Sequence, residues 1–376
     1  MDVRRLCGAL VERAALSPGM NVLVTGGTGF LGSHLIEQLT RQGDSVRALS
    51  RRAQGGEYLR SLGATPVRGD LDDAQSLEPA CQGCRVVYHC AAKVELFGDN
   101  HDFHQANVAG TQRLIEAAGR SGVRRFVHVS SCAVYLNMLS ARVVAAGKLI
   151  DEFTPVTAPP SWYRYGQTKY ESEQVVQARC SAPMQWTIVR LGHLYGPRDR
   201  RTMSYVVAAL NDSRFRMAGD GSNELTLVYV EDAARALVLS ARRAEAANTI
   251  LVVVPNAPCT QQAYLDALAD GLGLPRATRH VPFYLAFGLS WLGEYLVRDG
   301  PRRAWLRRSF IAILGLPAKI TGAHTSDLLG WAPQTTLAEG MKRTFEWYRA
   351  EYGKPDPQLL TGMALRPAAD AGCSRI

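Results

Sequence analysis

The chain has 376 residues, 47 % hydrophobic and 20 % charged, the balance of a folded globular protein and not of a disordered chain. Its net charge is +9, from 43 Lys and Arg against 34 Asp and Glu, but no nucleic-acid-binding motif accompanies it, and Arg298, Arg302, Arg303, Arg307 and Arg308 fall together in one short stretch. No apolar run reaches the ~20 residues that a spanning helix needs, and eight cysteines scattered through apolar segments, as at Cys90 and Cys132, suit a reduced cytoplasmic chain better than a disulfide framework.

Residues 1–19 read as an N-terminal extension. Arg4, Arg5, Glu12 and Arg13 interrupt any signal-peptide core, while Val3, Leu6, Leu10 and Ala14 are spaced for one short amphipathic helix. A buried strand is expected next, at 21–25. It runs into Thr25-Gly26-Gly27-Thr28-Gly29-Phe30-Leu31-Gly32, a glycine turn that opens a helix over 30–42. A dinucleotide diphosphate needs this construction. Gly26 permits the tight turn, Gly29 lets backbone approach phosphate, and Gly32 lets helix and strand pack closely. The free N–H groups of the first helical turn, at Phe30 and Leu31, then face the anion with the positive end of the helix dipole.

Short strands rich in Val and Leu follow at 45–49, 65–68, 85–89, 124–129 and 185–190, with helices over 73–80, 103–121 and 162–180. Such alternation predicts an α/β fold: a Rossmann-type doubly wound parallel sheet over residues 20–190, with ligands at the carboxyl ends of its strands. Cys81 and Cys84 make a single pair without a second one, and are read as a helix end and turn.

The strand at 124–129 ends in Ser130-Ser131-Cys132-Ala133-Val134-Tyr135. A serine at that edge can hydrogen-bond a carbonyl oxygen and stabilise charge that develops on it; strand-end capping is the competing reading. Tyr165 and Lys169 lie four apart on the helix after it and share a face. A free tyrosine, with a pKa of about 10, is a poor acid–base group near neutrality, and a neighbouring ammonium lowers that value.

After residue 190 the rhythm loosens. Residues 191–352 read as a smaller, mostly helical substrate lobe, with some segments returning to the sheet. Helices are expected at 230–243 and 261–272, a strand at 249–254, and a turn at Gly219-Asp220-Gly221-Ser222. Residues 283–314 are apolar, aromatic and basic together. They admit three readings: pocket wall, lobe core, or a segment lying on a membrane surface. Residues 353–376 read as a mobile tail. No His, Cys, Asp or Glu cluster has metal-ligand spacing.

In order, the glycine turn, the strand-end serine and Tyr165-x-x-x-Lys169 resemble the extended short-chain dehydrogenase/reductase family over roughly residues 20–350. Gly69-Asp70-Leu71, His89-Cys90-Ala91-Ala92, Asn107-Val108-Ala109-Gly110-Thr111, Arg190 to Pro197, Tyr229-Val230-Glu231-Asp232 and Leu329-Gly330-Trp331 continue the match. Within the family, Cys90 to Asp99 and Gly196-Pro197-Arg198-Asp199 look like the 3β-hydroxysteroid and sterol dehydrogenase branch. The resemblance implies that Tyr165 is the acid–base residue, Lys169 its activator and ribose anchor, and Ser131 the group that positions the carbonyl. It also implies that Asp70 and Leu71 border the adenine, that Ala91 lines the cofactor, and that the protein is a homodimer. Lys93, Ser131, Tyr165 and His193 are expected to face the substrate, with a packed histidine the competing reading of His193.

Two departures narrow the chemistry. The second strand ends Leu49-Ser50-Arg51-Arg52, so no acid stands where NAD-type sites hold the ribose. Arg51 can instead grip a 2′-phosphate, with Arg47 or Arg52 as helpers, which favours NADP over NAD. Sugar dehydratases of the family carry an acidic pair after the strand-end hydroxyl, and Cys132 and Ala133 stand there instead. The expected function is therefore an NADP-dependent ketoreductase or alcohol dehydrogenase for a hydrophobic substrate. The apolar residues of 136–164 and 283–292 are its expected pocket. A nucleotide-sugar epimerase with tightly bound NAD is the alternative enzyme, and a non-catalytic cofactor-sensing protein the alternative from another class.

Overall fold

The computed structural model describes residues 19–95, 99–255, 259–296, 307–316 and 319–353. The helix expected around Val3 to Ala14, the tail expected beyond 353, and Arg298, Arg302 and Arg303 lie outside the described residues.

β1 (Asn21–Thr25) runs through the glycine turn into α1 (Phe30–Arg41). The unit repeats as β2 (Ser45–Ser50), α2 (Ala53–Ser61), β3 (Thr65–Arg68), α3 (Ala74–Cys81) and β4 (Val86–His89). The single helix expected over 103–121 is built in three pieces: α4 (Asn100–His104), a wide π turn at Gln105–Ala109, and α5 (Gly110–Arg120). β5 (Arg125–Ser131) ends in a tight turn at Cys132–Tyr135, followed by α6 (Met138–Ala145), α7 (Arg164–Arg179) and β6 (Gln185–Leu191). Beyond α8 (Arg200–Asn211) and α9 (Val230–Arg242) the chain returns to the sheet as β7 (Thr249–Val253). The seven strands are ordered β7-β6-β5-β4-β1-β2-β3, and neighbouring strands pair in parallel.

Alternation along each strand sends side chains to opposite faces, and each face needs a helical cover. Val22 and Val24 join Leu35, Ile36 and Leu39 of α1 and Ala233, Ala234 and Leu237 of α9 on one side. Leu23 joins Leu77 of α3, Leu114 and Ile115 of α5 and Val176 of α7 on the other. Each such Leu or Ile is fully buried and contributes roughly 1.5–3 kcal/mol. The chain winds one way from β1 to β3 and the other way from β4 onward. The crevice at this reversal, above β1 and β4, is where a doubly wound sheet takes its ligand.

The later half builds a second core. Met203, Val206 and Val207 of α8 meet Tyr264, Leu265 and Leu268 of α10 (Gln261–Leu272). Three short strand pairs run beside them, among them His193–Tyr195 with Leu227–Tyr229. The chain then forms α11 (Phe283–Leu296), α12 (Arg308–Gly315), α13 (Ala323–Leu329) and α14 (Leu337–Tyr352). Met341, Phe345 and Tyr348 of α14 close this second core. The lobe is tied to the sheet through α1: Arg198 donates to Glu37 at 2.6 Å and to Ser33 Oγ at 3.1 Å.

Candidate active site

Gly26 has φ +71°, and a Cβ there would stand 2.7 Å from the Ala91 nitrogen. The glycine turn is thus pressed against the chain leaving β4. At Gly32 a Cβ would meet the Gly26 carbonyl oxygen at 2.2 Å. The first turn of α1 can therefore fold down onto the loop only without a side chain at this position. No side chain caps the start of α1, so its first N–H groups, at Phe30 and Leu31, face the crevice as an anion cradle. These residues fit a dinucleotide diphosphate. Behind them Thr25 Oγ1 and His89 Nδ1 are hydrogen bonded at 2.7 Å, His89 Nε2 and Thr111 Oγ1 at 2.9 Å, and the Ala91 N–H donates to Thr25 Oγ1 at 3.3 Å. Burial and the nearby Lys169 hold His89 near pKa 3, so it stays neutral and locks the ends of β1 and β4 together.

At the end of β2, Ser50 Oγ donates to the Arg52 carbonyl at 2.9 Å. Arg51 is exposed and makes no ion pair among the described residues. Arg47, expected as a helper, is corrected here. It sits mid-strand and donates to the carbonyl of Gln82, just beyond the end of α3. Its guanidinium is thereby held below the carboxyl edge of the sheet. At the end of β3, Asp70 Oδ1 accepts from the Asp72 N–H at 3.2 Å, and Arg113 donates to the Leu71 carbonyl at 2.9 Å.

Ser131 ends β5 at the carboxyl edge. Its Oγ accepts from the Ala133 N–H at 3.1 Å, the strand-end cap, and the serine stands near enough to the Tyr165 phenol to favour its ionised form. The strand-end reading of this serine holds. The approach of α7 depends on Gly166, where a Cβ would meet the Tyr163 ring at 2.6 Å and the Ala133 carbonyl at 3.0 Å. Burial pushes the Tyr165 pKa up to about 12, with Ser131 and the cation of Arg201 pulling the other way.

Lys169 is buried and its Nζ donates to the Val129 carbonyl at 2.7 Å. Burial lowers its pKa to about 8, opposed by Cys90 and Glu173. Besides burial, the groups that shift Tyr165 are Ser131, Arg201 and Cys132, and Lys169 is not among them. The ammonium, taken out of water, needs an acceptor, and β5 supplies a carbonyl.

Three supporting residues were given no role by the sequence, although Asn107 and Arg190 stand in matched motifs. Glu173 is fully buried and accepts from Arg190 at 3.0 and 2.7 Å and from Ser130 Oγ at 2.5 Å. Arg190 also donates to the Tyr135 hydroxyl at 2.8 Å. The signal was present in the spacing: Tyr165, Lys169 and Glu173 recur every four residues. Asn107, in the π turn, donates to Thr168 Oγ1 at 2.9 Å and to the Lys93 carbonyl at 3.0 Å, bracing α7 against the loop after β4.

Of the residues expected to face the substrate, Ser131 and Tyr165 come together. Lys93 has acids of its own, Asp102 at 2.9 Å and Glu95 at 3.9 Å. His193 packs edge-on to Tyr264, 6.3 Å between centroids, and burial lowers its pKa to about 4. That is a packed, neutral histidine, although its Nε2 has no partner among the described residues. Trp162, three residues before Tyr165, packs 5.4 Å from Phe287 of α11 and 6.1 Å from Tyr163, which itself lies 6.5 Å from Tyr165. A shallow cleft of about 740 Å³, lined by Cys84, Arg85, Arg124 and Gln185, opens at the opposite, amino edge of the sheet and is remote from these groups. Among the described residues no metal-ligating cluster is found.

Residues 22–253 match the model of the NAD dependent epimerase/dehydratase family. The 4-hydroxy-2-methyl-3-oxo-4-farnesyl-3,4-dihydroquinoline-1-oxide ketoreductase of Stigmatella aurantiaca is 29 % identical over 86 % of this chain and 95 % of its own. The 2-alkyl-3-oxoalkanoate reductase of Stenotrophomonas maltophilia is 30 % identical over 86 % and 98 %. A decarboxylating sterol-4-alpha-carboxylate 3-dehydrogenase of Dictyostelium discoideum is 33 % identical over 60 % and 68 %. Among solved structures, DesIV, a dTDP-glucose 4,6-dehydratase from Streptomyces venezuelae with NAD and TYD bound, superposes with a TM-score of 0.68 at 26 % identity, over 90 % of this chain and 99 % of that one. The chain belongs to the NAD dependent epimerase/dehydratase family, among the extended short-chain dehydrogenases, and is an NAD(P)-dependent oxidoreductase acting on CH–OH and C=O groups.

Proposed function

We propose that the protein is an NADP-dependent ketoreductase, or alcohol dehydrogenase in the reverse direction, for a hydrophobic ketone and its secondary alcohol. The observation that carries this reading is the meeting of Ser131 and Tyr165 at the carboxyl edge of the sheet, beside the glycine cradle. The positions after Ser131 are Cys132 and Ala133, so no acid stands there to expel water from a sugar. The relatives act on a farnesyl-bearing dihydroquinoline oxide, a 2-alkyl-3-oxoalkanoate and a sterol carboxylate. They support a large apolar substrate with a reducible carbonyl.

The nicotinamide would supply or accept the hydride. The residues at 26–32 would hold the diphosphate, Asp70, Leu71 and Ala91 would border the rest of the dinucleotide, and Lys169 would bind the nicotinamide ribose. Ser131 donates a hydrogen bond to the substrate oxygen and fixes the carbonyl plane. Tyr165, protonated well above neutral pH, gives its proton to that oxygen as the alkoxide forms, or takes it back in oxidation. Lys169, reaching from the Val129 carbonyl, brings a positive charge toward the phenolate that remains. Arg51 would take the 2′-phosphate, since no carboxylate ends β2 to repel it.

Tyr165→Phe removes the transferable proton and keeps the ring. Turnover of a hydrophobic ketone should fall by about 10²–10⁴-fold while NADPH still binds, read by cofactor fluorescence. Turnover retained at the wild-type level sinks the assignment. A nucleotide-sugar epimerase is the second reading, favoured by the likeness to a sugar-nucleotide dehydratase structure with NAD. It would be recognised by NAD that stays bound through purification and is not consumed.

A further inference from the structure

Among the described residues other than glycine, only Arg198 and Asn248 have a positive φ. Arg198 stands at +74°, a backbone that glycine takes without strain and that an arginine takes at a cost. What the arginine adds is its side chain, and that side chain reaches α1 twice: Ser33 Oγ at 3.1 Å and Glu37 at 2.6 Å. The preceding residue joins in, since the Pro197 carbonyl lies 2.9 Å from His34 Nε2. Burial lowers the His34 pKa to about 4, so the ring is neutral, and opposite a pure acceptor its Nε2 carries the proton and donates. Ser33, His34 and Glu37 lie on one side of α1, and together they seat the Pro197–Arg198 corner on that helix. Each end of this clasp leads to the active site. On the α1 side, Ser33 Oγ donates to the Phe30 carbonyl at 3.0 Å, and the Phe30 ring is edge-on to His34, 6.0 Å between centroids. Phe30 also supplies one N–H of the anion cradle. On the other side, the Arg198 carbonyl accepts from the Arg200 N–H at 2.9 Å, and the buried Asp199 caps α8 by accepting from the Thr202 N–H at 3.0 Å. The first turn of α8 carries Arg201, one of the groups that act on the Tyr165 phenol.

We propose that Arg198 is a positioning residue that couples the two ends: a dinucleotide diphosphate bound at the start of α1 orders that helix, and the clasp hands the order to the start of α8, beside the reacting tyrosine. The first turn of α1 has no side-chain cap, so its N–H groups depend on an anion for partners, and the turn is firmer with one. Ser33, bonded to Phe30, passes that firmness to the guanidinium. The clasp is not a source of stability, because a half-exposed ion pair contributes little. Its use is directional. A planar fork with two fixed acceptors sets both distance and angle between helices, which a single ammonium does not. The coupling rests on the diphosphate lying in the glycine cradle and is independent of which carbonyl compound is reduced.

The test is hydrogen–deuterium exchange of the full chain, with and without saturating NADP+ and, separately, NAD+. In wild type the cofactor that binds should slow exchange about tenfold both in α1 and in α8. Arg198→Gly keeps the left-handed backbone without strain and removes the clasp. It should retain the slowing in α1 and cut that in α8 to less than about twofold. Glu37→Gln weakens one bond of the fork and leaves the other, so its α8 response should fall between those of wild type and Arg198→Gly. Arg200→Ala breaks instead the 2.7 Å bond from α8 to Glu351 of α14. Its α8 response should match wild type, which separates coupling from a general loosening of α8. Two results overturn the proposal: an α8 in wild type that does not respond while α1 does, or a full α8 response in Arg198→Gly. If α1 itself responds to neither dinucleotide, the cofactor site has failed and the coupling falls with it. Because exchange is read without turnover, failure of the ketone assignment leaves this result untouched.

Discussion

Tyr165 and Lys169 are opposite cases of the same cost. Burial raises the phenol to about 12 and lowers the ammonium to about 8, because each is penalised in its charged form. The resting tyrosine thus holds its proton across the physiological range, which suits an acid ready for ketone reduction. For Lys169 the folded value lies below the ordinary 10.5, so the unfolded chain binds the proton more tightly. Stability from this group is present above that ordinary value, falls as pH drops toward about 8, and below it the buried ammonium is a standing cost. Two outcomes follow. Lys169→Met should melt at or above wild type at pH 7 in the absence of cofactor, measured by calorimetry, while kcat falls about 10²–10⁴-fold. Reduction by wild type should also decline as pH rises past about 8, where the lysine loses the charge that steadies the phenolate. A flat alkaline limb would contradict that role. Arg51→Ala should weaken NADP binding about tenfold or more and leave NAD binding unchanged, read by titration with each cofactor.

At the scale of elements, α7 is held by what lies beneath it. Glu173, two turns after Tyr165, fixes the helix to β6 through both bonds of Arg190 and to β5 through Ser130. Glu173→Gln leaves the buried Arg190 without a counter-charge, which costs about 3–5 kcal/mol. Urea unfolding should show a loss of that size, and an unchanged midpoint would mean that Tyr135 alone can hold the guanidinium. The sequence made the strands and the helices with a regular apolar stripe readable, as in β1 and α1. It made Ser131 and Tyr165 readable too, because strand end and helix spacing are local. The Glu173–Arg190 pair joins a helix to the next strand, and the Val129 partner of Lys169 lies 40 residues away. No local pattern reports such contacts. α2 went unseen because Gly55 and Gly56 blank out its stripe. The π turn went unseen because Gln105–Ala109 carries an ordinary helical pattern. α11 was readable as apolar, but a helix apolar all round cannot say from sequence which face the fold will leave bare.

At the scale of the whole molecule, the sheet reversal between β1 and β4 places the glycine cradle beside the end of β5, and the packing of α7 over β5 sets Tyr165 there. The later half is bonded to α1 through Arg198. Such an assembly can reduce a ketone or epimerise a sugar, since the same three side chains serve both. The two differ in whether cofactor is spent and which one is spent. The decisive measurement is the absorbance of reduced cofactor during incubation of the purified protein with a hydrophobic 3-oxo substrate. One NADPH should be oxidised per carbonyl reduced, with a clear preference over NADH and a rate about 10²–10⁴-fold lower for Tyr165→Phe. Retained NAD with no net change in reduced cofactor, alongside turnover of a nucleotide sugar, would contradict the reductase reading.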